Sequence, residues 1–172
     1  AVIGFCLLFL GLSFMKGAVP DLSETPEALA FITRFSGKGI ASVLLFVLVG
    51  TLLTMILQSS SATVALTLIF LDMGYIEFDM AAAMVMGENI GTTITANIAA
   101  AMGNVNARRA ALAHTVFNVF GVAWVVCLFR PFLGLIGLIV NAIGLGGSSQ
   151  TPLYSISMLH TVFNLINTGI LI

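Results

Sequence analysis

Two short polar segments interrupt otherwise apolar stretches of this chain, and both are rich in oxygen donors. The first is Gln58-Ser59-Ser60-Ser61-Ala62-Thr63. The second is Gly87-Glu88-Asn89-Ile90-Gly91-Thr92-Thr93, with Thr95 and Asn97 on the turns that follow. Hydroxyl, amide and carboxylate oxygens are hard ligands, suited to a cation such as Na+. A helix starting inside the first segment presents free N–H groups and the positive end of its dipole, which suit an anion. Ser60 or Ser61 is the expected cap of that start, with Gln58 and Ser59 lining its mouth. The preceding helix should end near Leu57 with free carbonyls. The alternative is an unbroken helix whose hydroxyls bond back to carbonyls one turn earlier.

Glu88 is the sharpest single residue. An ionisable group at membrane depth costs about 2.5–3.5 kcal/mol on insertion scales and marks function by default. Three roles are open to it: contact with Na+, carriage of a proton, or bracing of the loop around it. His114-Thr115-Val116-Phe117-Asn118 recurs letter for letter as His160-Thr161-Val162-Phe163-Asn164. In each copy His and Asn are four apart and share a helix face, which Asn167 extends in the second. Interhelical hydrogen bonds are the expected role, and a proton relay or substrate contact the alternative. Cys6 and Cys127 each sit in an apolar run and read as packing residues, not as a disulfide or metal pair.

These residues need a scaffold, and the composition limits which. Of 172 residues, 59% are hydrophobic and 8% charged. A soluble domain carries roughly 25% charged residues. Mean hydropathy is +1.14. Six Lys+Arg face seven Asp+Glu, so no basic patch exists to grip a nucleic acid. The expected class is an all-α, multi-pass membrane protein of the cell membrane, with the lipid bilayer as its solvent. Apolar runs are expected over Ala1–Met15, Gly39–Leu71, Met80–Met102, Ala110–Phe129, Phe132–Leu145 and Leu153–Ile172. Thr25 and Pro26 read as the start of a short amphipathic helix bearing Leu29, Phe31, Ile32 and Phe35. The chain opens and closes inside apolar stretches, so residues 1–172 read as a fragment, or as one half of a longer transporter.

Gly39 to Leu71 carries no charged residue. One straight helix over it would reach about 50 Å, against a hydrocarbon core of about 30 Å. It must break, and Gln58–Thr63 is the place. Met80–Met102 is expected to break at Gly87–Thr93. Broken segments survive in hydrocarbon only when buried in protein or lining a wet cavity, and they point to a transporter site. If both segments cross, Lys16, Arg34, Lys38, Arg108 and Arg109 gather on one side and the acidic Asp72–Asp79 loop on the other, as the positive-inside rule prefers. One re-entrant hairpin would instead separate Arg108 and Arg109 from the rest. No enzyme is expected, since no Gly-x-Ser-x-Gly elbow surrounds the serines and nothing pairs either His with one. No ring of charges marks a channel.

The two polar segments at this spacing resemble the type II sodium-dependent phosphate (Na/Pi) cotransporters. The resemblance extends to Ala107-Arg108-Arg109-Ala110-Ala111-Leu112-Ala113-His114 with Phe117-Asn118, and to Gly4-Phe5 with Leu8-Phe9-Leu10-Gly11. It implies two inverted repeats, each with a Gln-Ser-Ser-Ser segment; this chain holds one, so it resembles a single half, the second. The partner would be the other repeat or a second copy. The implied activity is Na+-coupled symport of inorganic phosphate by alternating access. By position, Gln58, Ser59, Ser60 and Ser61 would hold phosphate. Ser60, Ser61, Glu88, Asn89, Thr92 and Thr93 would supply Na+ ligands. Glu88 departs from the family pattern, in which a small residue is common there. A Na+ symporter for another small anion, or a non-transporting structural subunit, are the alternatives.

Overall fold

The computed structural model describes residues 2–19, 30, 34–35 and 37–171. Among them stand seven helices and no strand. They are α1 (Val2–Ala18), α2 (Ile40–Leu57), α3 (Ser60–Asp72), α4 (Phe78–Ala101), α5 (Val105–Cys127), α6 (Phe129–Ala142) and α7 (Thr151–Leu171). The amphipathic helix expected from Thr25 falls largely outside the described residues.

Helix α4 is the centre. Every residue from Met80 to Glu88 is buried, including Ala81, Ala82 and Ala83 at 0% exposure. Small side chains let α2, α3, α5 and α7 all close on it, as expected of a helix that is apolar all round. Its tightest neighbour is α2. A Cβ built on Gly87 would overlap the Val47 carbonyl, and one on Gly50 would overlap the Met84 carbonyl. A Cβ on Gly91 would stand 2.7 Å from the Thr51 carbonyl oxygen and the Thr54 Cβ. Gly87 and Gly91 are four apart, the small-xxx-small spacing that brings helix backbones together. Thr51 Oγ1 donates to its own Val47 carbonyl at 2.8 Å and lies 3.0 Å from the Gly87 carbonyl across the contact.

The expected break in the second polar segment does not occur. Residues 78–101 form one continuous helix. Its glycines serve close approach to α2, not unusual backbone. The first break is present, and it is a reversal. Val47 lies beside Gly87 and Thr54 beside Gly91, so α2 and α4 run in the same direction. Helix α3 must return between them, and its Thr67 bonds Glu88. Helices α2 and α3 are therefore a hairpin with its tip at Gln58-Ser59.

That hairpin overturns the expected charge separation. The starts of α2 and α4 and the α5–α6 junction share one end of the bundle, around a cavity of about 330 Å³ lined by Gly39, Ser42, Asp79 and Arg130. Lys16 pairs with Asp72 at 2.7 Å and Arg130 with Asp79 at 3.2 Å. The acidic loop thus stands with Lys16 and Lys38. Arg108 and Arg109 lie at the other end, where Arg108 Nη2 donates to the Ala101 carbonyl at 2.9 Å. The separation fails because α3 turns back and α4 does not.

Helices α2 and α5 are long and apolar enough to cross a membrane. Their apolar side chains also face outward. Ile40, Leu44, Leu48, Leu52 and Ile56 form an exposed stripe on α2, and α1 buries no residue. Pro131 and Pro152 each fall in the first turn of a helix, where a missing N–H costs nothing. Cys6 and Cys127 are free and exposed.

The α2–α4 contact is directly testable. Gly87→Val should destabilise the intact protein by about 3 kcal/mol, the upper end of overpacking costs. Gly134→Ala, with open space around it, should leave the melting temperature in detergent unchanged or raised. Equal melting of the two variants would refute the close-contact role.

Candidate functional site

The hairpin tip is built by two residues. Helix α2 ends at Leu57, and Gln58 takes the left-handed conformation (φ 53°, ψ 27°) while its N–H donates to the Thr54 carbonyl at 2.8 Å. Gln58 is the positive-φ residue other than glycine among the described residues. That conformation costs a residue with a Cβ about 1–2 kcal/mol. Ser59 then turns extended, and its Oγ accepts from the Ala62 N–H at 3.3 Å. The cap of α3 is therefore Ser59, not Ser60 or Ser61. Only a residue just outside the helix, with extended backbone, can aim its hydroxyl at the third N–H of the helix.

This arrangement fixes what the tip offers. Thr63 Oγ1 donates to the Ser59 carbonyl at 2.9 Å, and the Ser59 and Ser61 hydroxyls lie 3.3 Å apart. The N–H groups of Ser60 and Ser61 have no partner within the helix. Gln58 and Ser61 are exposed and Ser59 and Ser60 half-buried, so the tip is open.

The oxygen donors of α4 are held by their own helix. Asn89 Nδ2 donates to the Val85 carbonyl at 2.9 Å, Thr92 Oγ1 to that of Glu88 at 2.8 Å, and Thr93 Oγ1 to that of Ile90 at 2.8 Å. These bonds use the protons and leave side-chain oxygen lone pairs. Asn97 Nδ2 reaches the Thr93 carbonyl at 2.8 Å and Thr115 Oγ1 at 2.5 Å, tying α4 to α5.

Glu88 lies elsewhere, in the seam between α3 and α4, 1% exposed. Thr67 Oγ1 donates to its Oε1 at 2.7 Å, and its Oε2 has no partner. Thr67 is seven residues beyond Ser60, about 10 Å along α3. The structure thus brings Gln58, Ser59, Ser60 and Ser61 together at the tip but sets Glu88 apart from them. Thr54 and Thr67 are buried polar residues that sequence reasoning passed over. Their signal was a threonine recurring within otherwise apolar helices.

The His-x-x-x-Asn repeat does not make the expected interhelical bonds through its Asn side chains. Asn118 Nδ2 donates to the His114 carbonyl at 3.0 Å and Asn164 Nδ2 to the His160 carbonyl at 2.8 Å, each within its helix. A residue four along a helix sits directly over that carbonyl. Asn167 provides the cross-tie: Nδ2 donates to the Phe117 carbonyl at 2.8 Å, and Oδ1 accepts from Trp124 Nε1 at 3.4 Å. Trp124 packs inward, edge-on to Phe132 and stacked on Phe163.

The structure is an all-helical bundle with outward apolar faces and polar groups gathered at a capped helix reversal. The chain belongs to the Na+/Pi-cotransporter family, whose model matches residues 30–170. It is 32% identical over 165 residues to the uncharacterized protein YqeW of Bacillus subtilis, covering 96% of this chain and 48% of that protein. It is 27% identical over 164 residues to the putative inorganic phosphate export protein YjbB of Escherichia coli, covering 95% and 28%. Over 120 residues it is 39% identical to human sodium-dependent phosphate transport protein 2B, covering 64% and 16%. The chain thus spans less than half the length of these relatives. No solved structure matches it.

The Glu88 contact makes its own prediction. Thr67→Val leaves both carboxylate oxygens without a partner and should destabilise the intact protein by about 1–3 kcal/mol. A double-mutant cycle with Glu88→Leu, which removes the acceptor, should show coupling above about 0.5 kcal/mol. Additive melting shifts would deny the bond.

Proposed function

We propose that this chain is one half of a membrane transporter that moves inorganic phosphate together with Na+ by alternating access. The observation that carries the reading is the Ser59-capped reversal. It leaves the Ser60 and Ser61 N–H groups, the Gln58 amide and the serine hydroxyls at an open helix N-terminus, where an anion is favoured. Helices α2, α3 and α4 carry no Lys or Arg. A phosphate bound there would need positive charge from elsewhere, because an unpaired anion out of water is prohibitively costly. Na+ supplies it, held by Ser60 and Ser61 at the tip and by oxygens of Asn89, Thr92 and Thr93 on α4.

The exposed stripes of α1, α2 and α5 are read as faces toward lipid or the second repeat. The length of YqeW beyond this chain is room for such a repeat. On this reading the protein is an integral, multi-pass protein of the cell membrane, and the half site at the tip is completed by the other half.

Direction of transport has two readings, because one relative is named for export and another for sodium-dependent transport. Flux of labelled phosphate in proteoliposomes of the intact protein, under an imposed Na+ gradient of either sign, separates them. Ser60→Ala and Asn89→Ala should each lower Na+-driven flux about tenfold, roughly 1.4 kcal/mol of lost stabilisation. Unchanged flux and Na+ dependence in both would remove the site assignment. Equal flux of labelled sulfate would replace phosphate by another small anion, and no anion flux at all, with or without Na+, would leave a structural subunit.

A further inference from the structure

Among the described residues two buried side-chain oxygens lack any partner: Glu88 Oε2 and Thr54 Oγ1. Glu88 faces Thr67 of α3, and Thr54 on α2 meets the Gly91 position of α4 through its Cβ and Cγ2. Glu88 is 1% exposed and Thr54 also 1%. Thr54 packs against Gly91, which lies three residues, about one turn, beyond Glu88 on α4. Thr67 adds a third oxygen, since its proton goes to Glu88 Oε1 at 2.7 Å and its lone pairs remain.

All six Lys and Arg side chains are exposed, and among the described residues none is in contact with the buried Glu88. Lys16 is on Asp72, Arg130 on Asp79, and Arg108 on the α4 C-terminus, all at the exposed ends. A buried carboxylate with one neutral donor is costly unless a cation meets it or it takes up a proton. One carboxylate balances a single positive charge, and a divalent ion would leave one in excess. Carboxylate and hydroxyl oxygens are the donors that hard metal ions prefer.

We propose that Glu88, Thr67 and Thr54 form a buried site for one monovalent metal cation, separate from the Gln58–Ser61 tip. The site rests on the proposed function only for the identity of the ion, Na+. It makes Glu88 an ion ligand in its own right, about two helical turns of α3 from the phosphate-facing serines. Glu88→Gln keeps the Thr67 bond through Oε1 and removes the charge. Thr54→Val keeps the shape and removes the unpartnered hydroxyl.

The test uses the intact protein in detergent, with chloride salts and no phosphate. Equilibrium binding of radiolabelled Na+ and melting temperature are measured in Na+ and in choline. Wild type should bind Na+ saturably and melt higher in Na+. Glu88→Gln should lose one component of that binding, and Gly134→Ala, with open space around it, should keep it. Thr54→Val should weaken the same component about 10–100-fold, as lost support of a metal site does. In choline it should melt at or above wild type, since removing an unpartnered buried hydroxyl is nearly neutral or stabilising. Wild-type Na+ binding in both Glu88→Gln and Thr54→Val would overturn the proposal. So would a Glu88→Gln melting shift of equal size in Na+ and choline, which marks packing alone. A Na+-independent stabilisation that follows pH would overturn it in favour of a proton. Phosphate flux with no Na+ dependence would remove the proposed function while Glu88-dependent Na+ binding kept this site.

Discussion

The backbone contact between α2 and α4 governs the rest of the structure. Gly50 and Gly87 let the two helices approach until one backbone rests on the other, with no room for a Cβ at either position. Two helices in that contact and running the same way leave the segment between them one course, back across the bundle. Helix α3 is that return. The polar break could not be a kink in a continuing helix, and a full reversal needs the left-handed Gln58 followed by an extended residue. A capping hydroxyl at Ser59 completes it. The geometry of the candidate anion site thus follows from two glycines distant from it in sequence.

The first break was legible because its cause is local. An uncharged stretch too long for one crossing must break, and a run of Gln and Ser is where capping chemistry exists. The second segment misled because Gly and Thr have two uses. Glycine permits unusual backbone, and it also permits close approach. Only the position of α2 distinguishes these, and that is a tertiary fact. Thr92 and Thr93 likewise bond back into their own helix, a choice invisible in composition. The charge arrangement failed for the same reason. The positive-inside rule requires a count of crossings, and the count depends on whether a break continues or reverses. Glu88 stood out from sequence alone, yet its partner Thr67 did not, because the return of α3 places it there.

Helix α4 serves as a common wall, with a different kind of bond on each side. Toward α2 the contact is backbone on backbone. Toward α5 it is the Asn97 amide on Thr115 and on the helix itself. Toward α3 the polar bond is Thr67 to Glu88, set among apolar packing. These contacts differ in what they tolerate. A backbone seam without side chains between the helices admits no sliding without overlap, since packed interfaces are not continuously deformable. A single side-chain bond breaks and re-forms at a cost of about 0.5–3 kcal/mol.

That difference bears on how the tip would respond to an ion. Ser59, Ser60 and Ser61 ride on α3, whereas Asn89, Thr92 and Thr93 ride on α4. The relative position of the two oxygen sets is the relative position of the two helices. Glu88 and Thr67 span the same pair of helices farther down the seam. A cation bound between them requires α3 docked on α4, so it binds the docked arrangement in preference to any other. By linkage, whatever it gains in affinity for that arrangement it returns as stability of the docked hairpin. A buried carboxylate is costly to keep in an apolar seam when its only role is structural, since an apolar pair of similar volume would hold α3 as well or better. Its presence is accounted for when the contact has to depend on an ion.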